Sequence, residues 1–267
     1  MAAVAPLLTA LRTAMAKTPK PDTAAASKTL AELKIAMLSF KSMPGTKTAQ
    51  ESDPQELLAA REAYELGCLL SVAKEDIPGF ERHYALVKSC YADYSSVLKA
   101  SENQHQLQGL NLLCMLAQSK IAEFHTELEL IPLDLWETNA FIKFPIKLEQ
   151  YLMEGSYPMV LAAAGSTPAK SYDLFVGMLS GTVRDAIAES SEAAYESLPM
   201  GEALKLLSIK TAGELADYAA MREREWDVDV KAQVVRFKKE KTNDLEVPSK
   251  RLIIETLSYA KELERIV

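Results

Sequence analysis

Three short patterns in this chain bring together residue types capable of chemistry. Ser71-Val72-Ala73-Lys74 has the Ser-x-x-Lys spacing of acylating serine enzymes, but its companion motifs are missing and two fixed positions in four recur by chance. Gly165-Ser166-Thr167-Pro168-Ala169-Lys170-Ser171 has the outline of a phosphate-binding loop. Ala169 stands where the second glycine belongs, Pro168 removes a backbone donor, and the preceding segment has helical spacing where a strand is needed, so the cradle of inward N–H groups cannot form. His125 lies one helical turn before Glu129, between Glu123 and Glu127, but zinc asks for three or four ligands at recognisable spacing, and His83 and His105 fall in unrelated helices. No GxSxG, HExxH or GxGxxG occurs. Cys68, Cys90 and Cys114 are odd in number, far apart and set in apolar helical contexts, which suits free thiols in a reducing compartment rather than a disulfide framework. The expectation is a protein without a catalytic, cofactor-binding or metal site.

The elements that would position any function are more informative. Ser197 to Phe237 reads as helix, turn, helix and two-stranded hairpin, a winged-helix pattern. Ser197, Leu198 and Pro199 are expected to open the first helix, because proline suits a first helical turn, with Leu204, Leu207 and Ile209 as its apolar stripe. Thr211 and Glu214 form a capping box ahead of Leu215, Tyr218 and Ala219. Trp226-Asp227-Val228 and Val234-Val235-Arg236-Phe237 then suit two strands. A winged helix is usually a DNA reader. Here the second helix and its continuation carry Glu214, Asp217, Glu223 and Glu225 against Arg222 and Arg224, a surplus of acid that repels phosphate. A protein-binding surface is the better expectation, with no nucleic-acid partner.

Upstream of Tyr195 the apolar spacing is helical almost throughout. Asp53, Pro54 and Glu56 mark a sharp helix start before a long segment to Lys74. Ile77-Pro78-Gly79-Phe80, Ile121-Ala122-Glu123-Phe124 and Glu154-Gly155-Ser156-Tyr157 mark three corners, as stacked helical hairpins would produce. Pro145 is expected to start a helix with Leu148, Tyr151 and Leu152 facing inward, and Gly155 to end it in a left-handed cap. Segments 41–53 and 165–171 read as loops and Thr242 to Pro248 as a linker. The alanine-rich start, Ala2 to Leu11, has no positive n-region and reads as an amphipathic helix rather than a leader.

Past the linker, Ile253, Leu257, Ala260, Leu263 and Val267 recur at steps of four, three, three and four, widened by Leu252, Tyr259 and Ile266. A helix with so continuous an apolar face needs something to cover it. The formal charge of −7, from 30 basic and 37 acidic residues, argues against an anionic membrane surface, and no uncharged apolar run is long enough to span one.

A helical-repeat region ending in a winged helix is the layout of the PCI domain. The run Phe144-Pro145-Ile146-Lys147-Leu148-Glu149-Gln150-Tyr151-Leu152-Met153-Glu154-Gly155-Ser156-Tyr157 closely resembles the family of twelfth non-ATPase subunits of the 26S proteasome lid. So do Phe124-His125-Thr126-Glu127-Leu128-Glu129, Val183-Arg184-Asp185-Ala186-Ile187-Ala188 and the end of the last helix, Ile266-Val267, the likeness extending from about Phe80 onward. It implies a mainly α fold: an irregular TPR-like helical-repeat array over 1–170, a winged-helix (PCI) module with a short β-hairpin over 171–241, and a C-terminal assembly helix over 249–267. It implies a non-catalytic structural subunit of the regulatory-particle lid in cytoplasm and nucleus, supporting lid assembly and lid–base joining for ATP-dependent degradation of ubiquitinated proteins. Other PCI lid subunits, the third non-ATPase subunit and the base scaffold would be its hetero-oligomeric partners. An edge strand at Val234, Val235 and Phe237 and the helix face of Leu252, Ile253, Leu257, Leu263, Ile266 and Val267 would be the joints. Small PCI subunits of the COP9 signalosome or of translation initiation factor 3 are the rival resemblance.

Overall fold

The computed structural model describes residues 4–16, 23–40, 53–94, 97–209, 211–222, 226–229, 232–237 and 249–265. Two compact units divide the chain, Met1–Val183 and Arg184–Val267. The first is built of α1 (Val4–Ala16), α2 (Thr23–Met37), α3 (Pro54–Ala73), α4 (Ile77–Asp93), α5 (Gln104–Ala117), α6 (Ile121–Glu129), α7 (Leu133–Thr138), α8 (Ala140–Met153) and α9 (Tyr157–Ala163). A 3-10 turn at Lys170–Tyr172 leads into α10 (Asp173–Ala194), which begins in this unit and continues into the second.

Local chemistry sets these boundaries. Asp53 Oδ1 accepts from the Gln55 N–H at 3.1 Å with Pro54 in the first turn, so α3 starts where the acid–proline pair predicts. Asp76 repeats the device for α4, accepting from the Gly79 N–H at 3.0 Å. Gly155 takes φ 70 after α8, a backbone region that side chains resist, and the chain turns into α9 at Tyr157. Neighbouring helices pack in sequence order: α1 on α2 and α3, α3 on α4, and α5 between α6 and α8. Leu11, Ala14, Ala26, Leu30 and Leu70 fill the space among the first three. Further along, the Phe80 ring meets Phe175 at 5.6 Å between centroids.

Two polar features lock this array. Glu65 on α3 is almost fully buried, where an unpaired charge would be costly. It lies 3.4 Å from Arg61 Nε and accepts from Tyr91 at 2.9 Å and from Ser101 at 2.9 Å, while Arg61 donates to the Lys99 carbonyl at 2.6 Å. α3 is thereby tied to α4 and to the strap before α5. The second feature corrects an expectation: Pro145 lies inside α8, which starts five residues earlier behind an Asn139 side chain accepting from the Phe141 N–H at 3.0 Å. An internal proline has no N–H for the carbonyl four residues back. That carbonyl, on Phe141, instead faces the Tyr172 hydroxyl at 3.4 Å, which also donates to the Gln106 carbonyl at 2.9 Å. Leu148 faces inward as expected, whereas Tyr151 and Leu152 are only half-buried.

In the second unit, β1 (Ser197–Pro199) precedes α11 (Met200–Leu207), α12 (Ala212–Met221), β2 (Trp226–Asp229), β3 (Val234–Phe237) and α13 (Ser249–Glu264). Ser197 to Pro199 is thus a strand and not the first helical turn. Its register opposite β3 pairs Leu198 with Val235, and Leu198 points into the core while its neighbours are exposed. Proline tolerates this because it ends the strand, extended at φ −58 and ψ 136, and needs no donor there. The wing has three strands in the order β1-β3-β2, all antiparallel. α11 buries Met200, Ala203 and Leu207 and ends at Ser208 in the left-handed conformation, which makes the sharp turn into α12. Thr211 caps α12 as predicted, its hydroxyl accepting from the Glu214 N–H at 3.3 Å. Trp226 stacks edge-on to Phe237 at 5.3 Å and donates its indole N–H to Glu192 at 2.5 Å. Thr242 to Pro248, expected as a linker, lies outside the described residues, as does 41–52 of the expected first loop.

Candidate protein interface

The residues with chemical potential are spent on structure. Ser71 is buried and donates to the Gly67 carbonyl at 2.9 Å, and Lys74 is the exposed C-cap of α3. Next to Ser71 sits His83, whose Nδ1 lies 2.7 Å from the Gly79 carbonyl and whose Nε2 lies 2.7 Å from Lys34 Nζ. A carbonyl only accepts and an ammonium only donates, so Nδ1 carries the proton and Nε2 accepts. Burial, then the Lys34 charge, hold the His83 pKa below its ordinary value; burial and Arg82 lower that of Lys34. His125 is half-exposed and 3.4 Å from Glu149, a surface contact. In the glycine-threonine loop, Thr167 donates to Asp173 at 2.7 Å and Ser171 accepts from Gln106 at 3.0 Å, which ties the loop to the start of α10 and to α5. All three cysteines are free and buried. Desolvation pushes Cys90 up to about 11 and Cys114 up to about 12, and raises Cys68 further, so none is an activated thiolate. Among the described residues no group of three His, Cys, Asp or Glu could hold a metal ion, and no helix is long and apolar enough to cross a membrane.

What remains are surfaces. The edge strand expected at Val234, Val235 and Phe237 is instead the central strand: β1 and β2 occupy both of its sides, and Val235 and Phe237 are buried. Among the described residues, main-chain pairing by another polypeptide is therefore left to the outer sides of β1 and β2. The reversal follows from β1, which claims the side of β3 that a two-stranded hairpin would leave unpaired. On α12, Glu214 and Asp217 are exposed, and Arg222 just beyond it is held by Asp185 at 2.9 Å. Such a face presents carboxylate where a DNA reader presents cation.

α13 differs from every other long helix in burying none of its described residues. Leu252, Ile253, Leu257 and Leu263 are exposed, from 48% at Leu252 to 64% at Leu257, along with Tyr259 at 69%. Ile266 and Val267 lie outside the described residues. Ile254 is also exposed, at 58%, but at 3.6 residues per turn it falls on the far side of the helix from this stripe, beside Ser258 and Lys261. Arg251 pairs with Glu255 at 2.8 Å, a contact that supports the helix without covering its apolar side.

A family model described as CSN8/PSMD8/EIF3K matches residues 102–245. The chain is 40% identical over 238 residues to 26S proteasome non-ATPase regulatory subunit 8 homolog A of Arabidopsis thaliana, covering 89% of each chain. It is 30% identical over 252 residues to 26S proteasome non-ATPase regulatory subunit 8 of Caenorhabditis elegans, covering 94% of this chain and 95% of the relative. With 26S proteasome regulatory subunit RPN12 of Saccharomyces cerevisiae it shares 28% identity over 266 residues, 92% of this chain and 93% of that one. An array of capped helices, a winged module with an acidic second helix and an unburied amphipathic helix recur in one chain with that likeness along nearly its whole length. The protein accordingly belongs to the CSN8/PSMD8/EIF3K family, in its branch of proteasome non-ATPase regulatory subunit 8 and Rpn12.

Proposed function

We infer that this protein is a non-catalytic structural subunit of the 26S proteasome regulatory-particle lid, joined to other lid subunits, in cytoplasm and nucleus. The full-length likeness to proteasome subunits favours this over a place in the COP9 signalosome or translation initiation factor 3. In this reading 1–170 is the helical array, 171–241 the PCI module and 249–267 the assembly helix. Its neighbours are PCI subunits, the third non-ATPase subunit and the base scaffold, and its insertion links lid completion to base joining.

One observation carries the reading. Apolar side chains of an amphipathic helix leave water only when another apolar surface covers them, and α13 exposes Leu252, Ile253, Leu257, Tyr259 and Leu263 together. Leu252, Ile253, Leu257 and Leu263, with Ile266 and Val267, supply the stripe for a helical bundle. The outer sides of β1 and β2 supply strand addition, for which Val234, Val235 and Phe237 serve as the central support. Deleting Ser249 to Val267 leaves a folded, soluble remainder that migrates alone on native gels and is missing from purified 26S particles. Normal incorporation of the shortened chain would refute the reading.

A further inference from the structure

Lys34 on α2 and His83 on α4 meet at 2.7 Å between Nζ and Nε2. The imidazole is held in place from several sides. Its Nδ1 proton goes to the Gly79 carbonyl at 2.7 Å, Ser71 Oγ lies 3.2 Å from the same nitrogen, and the ring packs so closely on α3 that a Cβ at Gly67 would come within 2.9 Å of its Cδ2. With Nδ1 spent in this way, Nε2 keeps its lone pair and turns it toward the lysine. Lys34 itself is exposed.

A surface lysine usually faces an acid or open water. Lys34 has no carboxylate partner among the described residues; the charge that acts on it is that of Arg82, the neighbour of His83 on α4. Arg82 is exposed and equally without an acid among the described residues, because Glu81 beside it is taken by Lys120 at 3.8 Å and Gln118 at 2.8 Å. Asp76 is the one acid acting on His83, and its carboxylate caps the Gly79 N–H at 3.0 Å. In a chain of net charge −7, two cations and a neutral base thus stand together. Burial, then the Arg82 charge, disfavour the ammonium, so Lys34 gives up a proton more readily than an ordinary lysine. An amine with less hold on its proton, set against a fixed base and open to water, is a nucleophile. Thioesters of coenzyme A offer it an electrophilic carbonyl, and their phosphates are drawn to unpaired cations.

We propose that Lys34 is an acylation site, with a coenzyme A thioester as acyl donor and His83 as proton acceptor. The ammonium first yields one proton to solvent. Its nitrogen lone pair then attacks the thioester carbonyl carbon, the C–N bond forms, and the C–S bond breaks with its electron pair leaving on sulfur. The second proton passes from Nζ to His83 Nε2 and on to the thiolate, so the products are an uncharged amide, free coenzyme A and one proton. With the Lys34 charge gone, the His83 pKa rises toward its ordinary value.

Incubating the purified full chain with acetyl-coenzyme A at neutral pH, and following each lysine by mass spectrometry, tests this. Lys34 is expected to be acetylated at least about fivefold faster than the exposed Lys147, Lys205 and Lys250 in the same sample. His83→Gln keeps an acceptor for Nζ but no base, and should bring Lys34 back among the other three. Arg82→Gln changes an exposed position and so leaves the fold intact whatever His83→Gln does; it should slow Lys34 about threefold and the other lysines not at all. A wild-type rate at Lys34 no greater than at the three comparison lysines would overturn the site, as would a preference undiminished by either substitution. In the acetylated chain the His83 ring protons should titrate at higher pH than in the unmodified chain, and an unmoved titration would break the link between the two groups.

Discussion

A methyl group at Gly109 has nowhere to go. Its Cβ would lie 2.2 Å from the Tyr172 hydroxyl and 2.3 Å from the Phe141 carbonyl oxygen, and the second of these is backbone in α8. Gly109→Ala is therefore expected to lower stability by about 1–3 kcal/mol or more in urea unfolding, although alanine is the better helix former. Shortening the tyrosine with Tyr172→Phe should not rescue it, because the carbonyl stays. Gly177 on α10 is the contrast: nothing stands within 4 Å of its would-be Cβ, and Gly177→Ala should stabilise by about 0.5–1 kcal/mol. His83 makes a pH prediction. Its folded pKa lies below the ordinary value of 6.5, so in the window beneath 6.5 the unfolded chain binds a proton that the native chain refuses. Stability at this site is then complete above 6.5 and declines as pH falls toward the folded pKa. Urea midpoints between pH 7 and 5 should drop more for the wild type than for His83→Gln; equal slopes would show that the imidazole is accommodated as a cation.

Elements with a local cause were readable from sequence, and those with a distant cause were not. Asp53, Asp76 and Thr211 each accept from a backbone N–H two or three residues on, which makes their helix starts visible in a short window. Thr211→Ala should accordingly cost about 1 kcal/mol, read as faster hydrogen exchange in the first turn of α12, with Thr211→Ser nearly neutral. Both misread prolines answer to partners far along the chain. Pro199 ends a strand because Val234 lies opposite it, and Pro145 sits inside a helix whose freed carbonyl faces Tyr172. The same distinction separates the candidate surfaces. α13 is amphipathic by spacing alone, whereas the place of Val234 to Phe237 at the sheet centre depends on β1.

For the whole molecule, the question is whose core the last helix completes. If α13 packed on its own chain, trimming its leucines would destabilise the isolated protein, since a buried Leu→Ala change costs about 2–5 kcal/mol. Leu257 and Leu263 are 64% and 49% exposed, so in the lone chain there is no cavity to create. Leu257→Ala combined with Leu263→Ala should leave the urea midpoint of the purified protein within experimental error of the wild type. If partner helices bury the same side chains in the assembly, the full truncation penalty falls on association: each change should weaken incorporation by at least about tenfold in competition with wild-type chain. Comparing the two measurements locates the missing surface. Equal loss in both would put the helix in its own core and remove the reason to regard it as a joint. Loss in competition alone means that this face is covered by neighbouring subunits and that its stability is held in common with them.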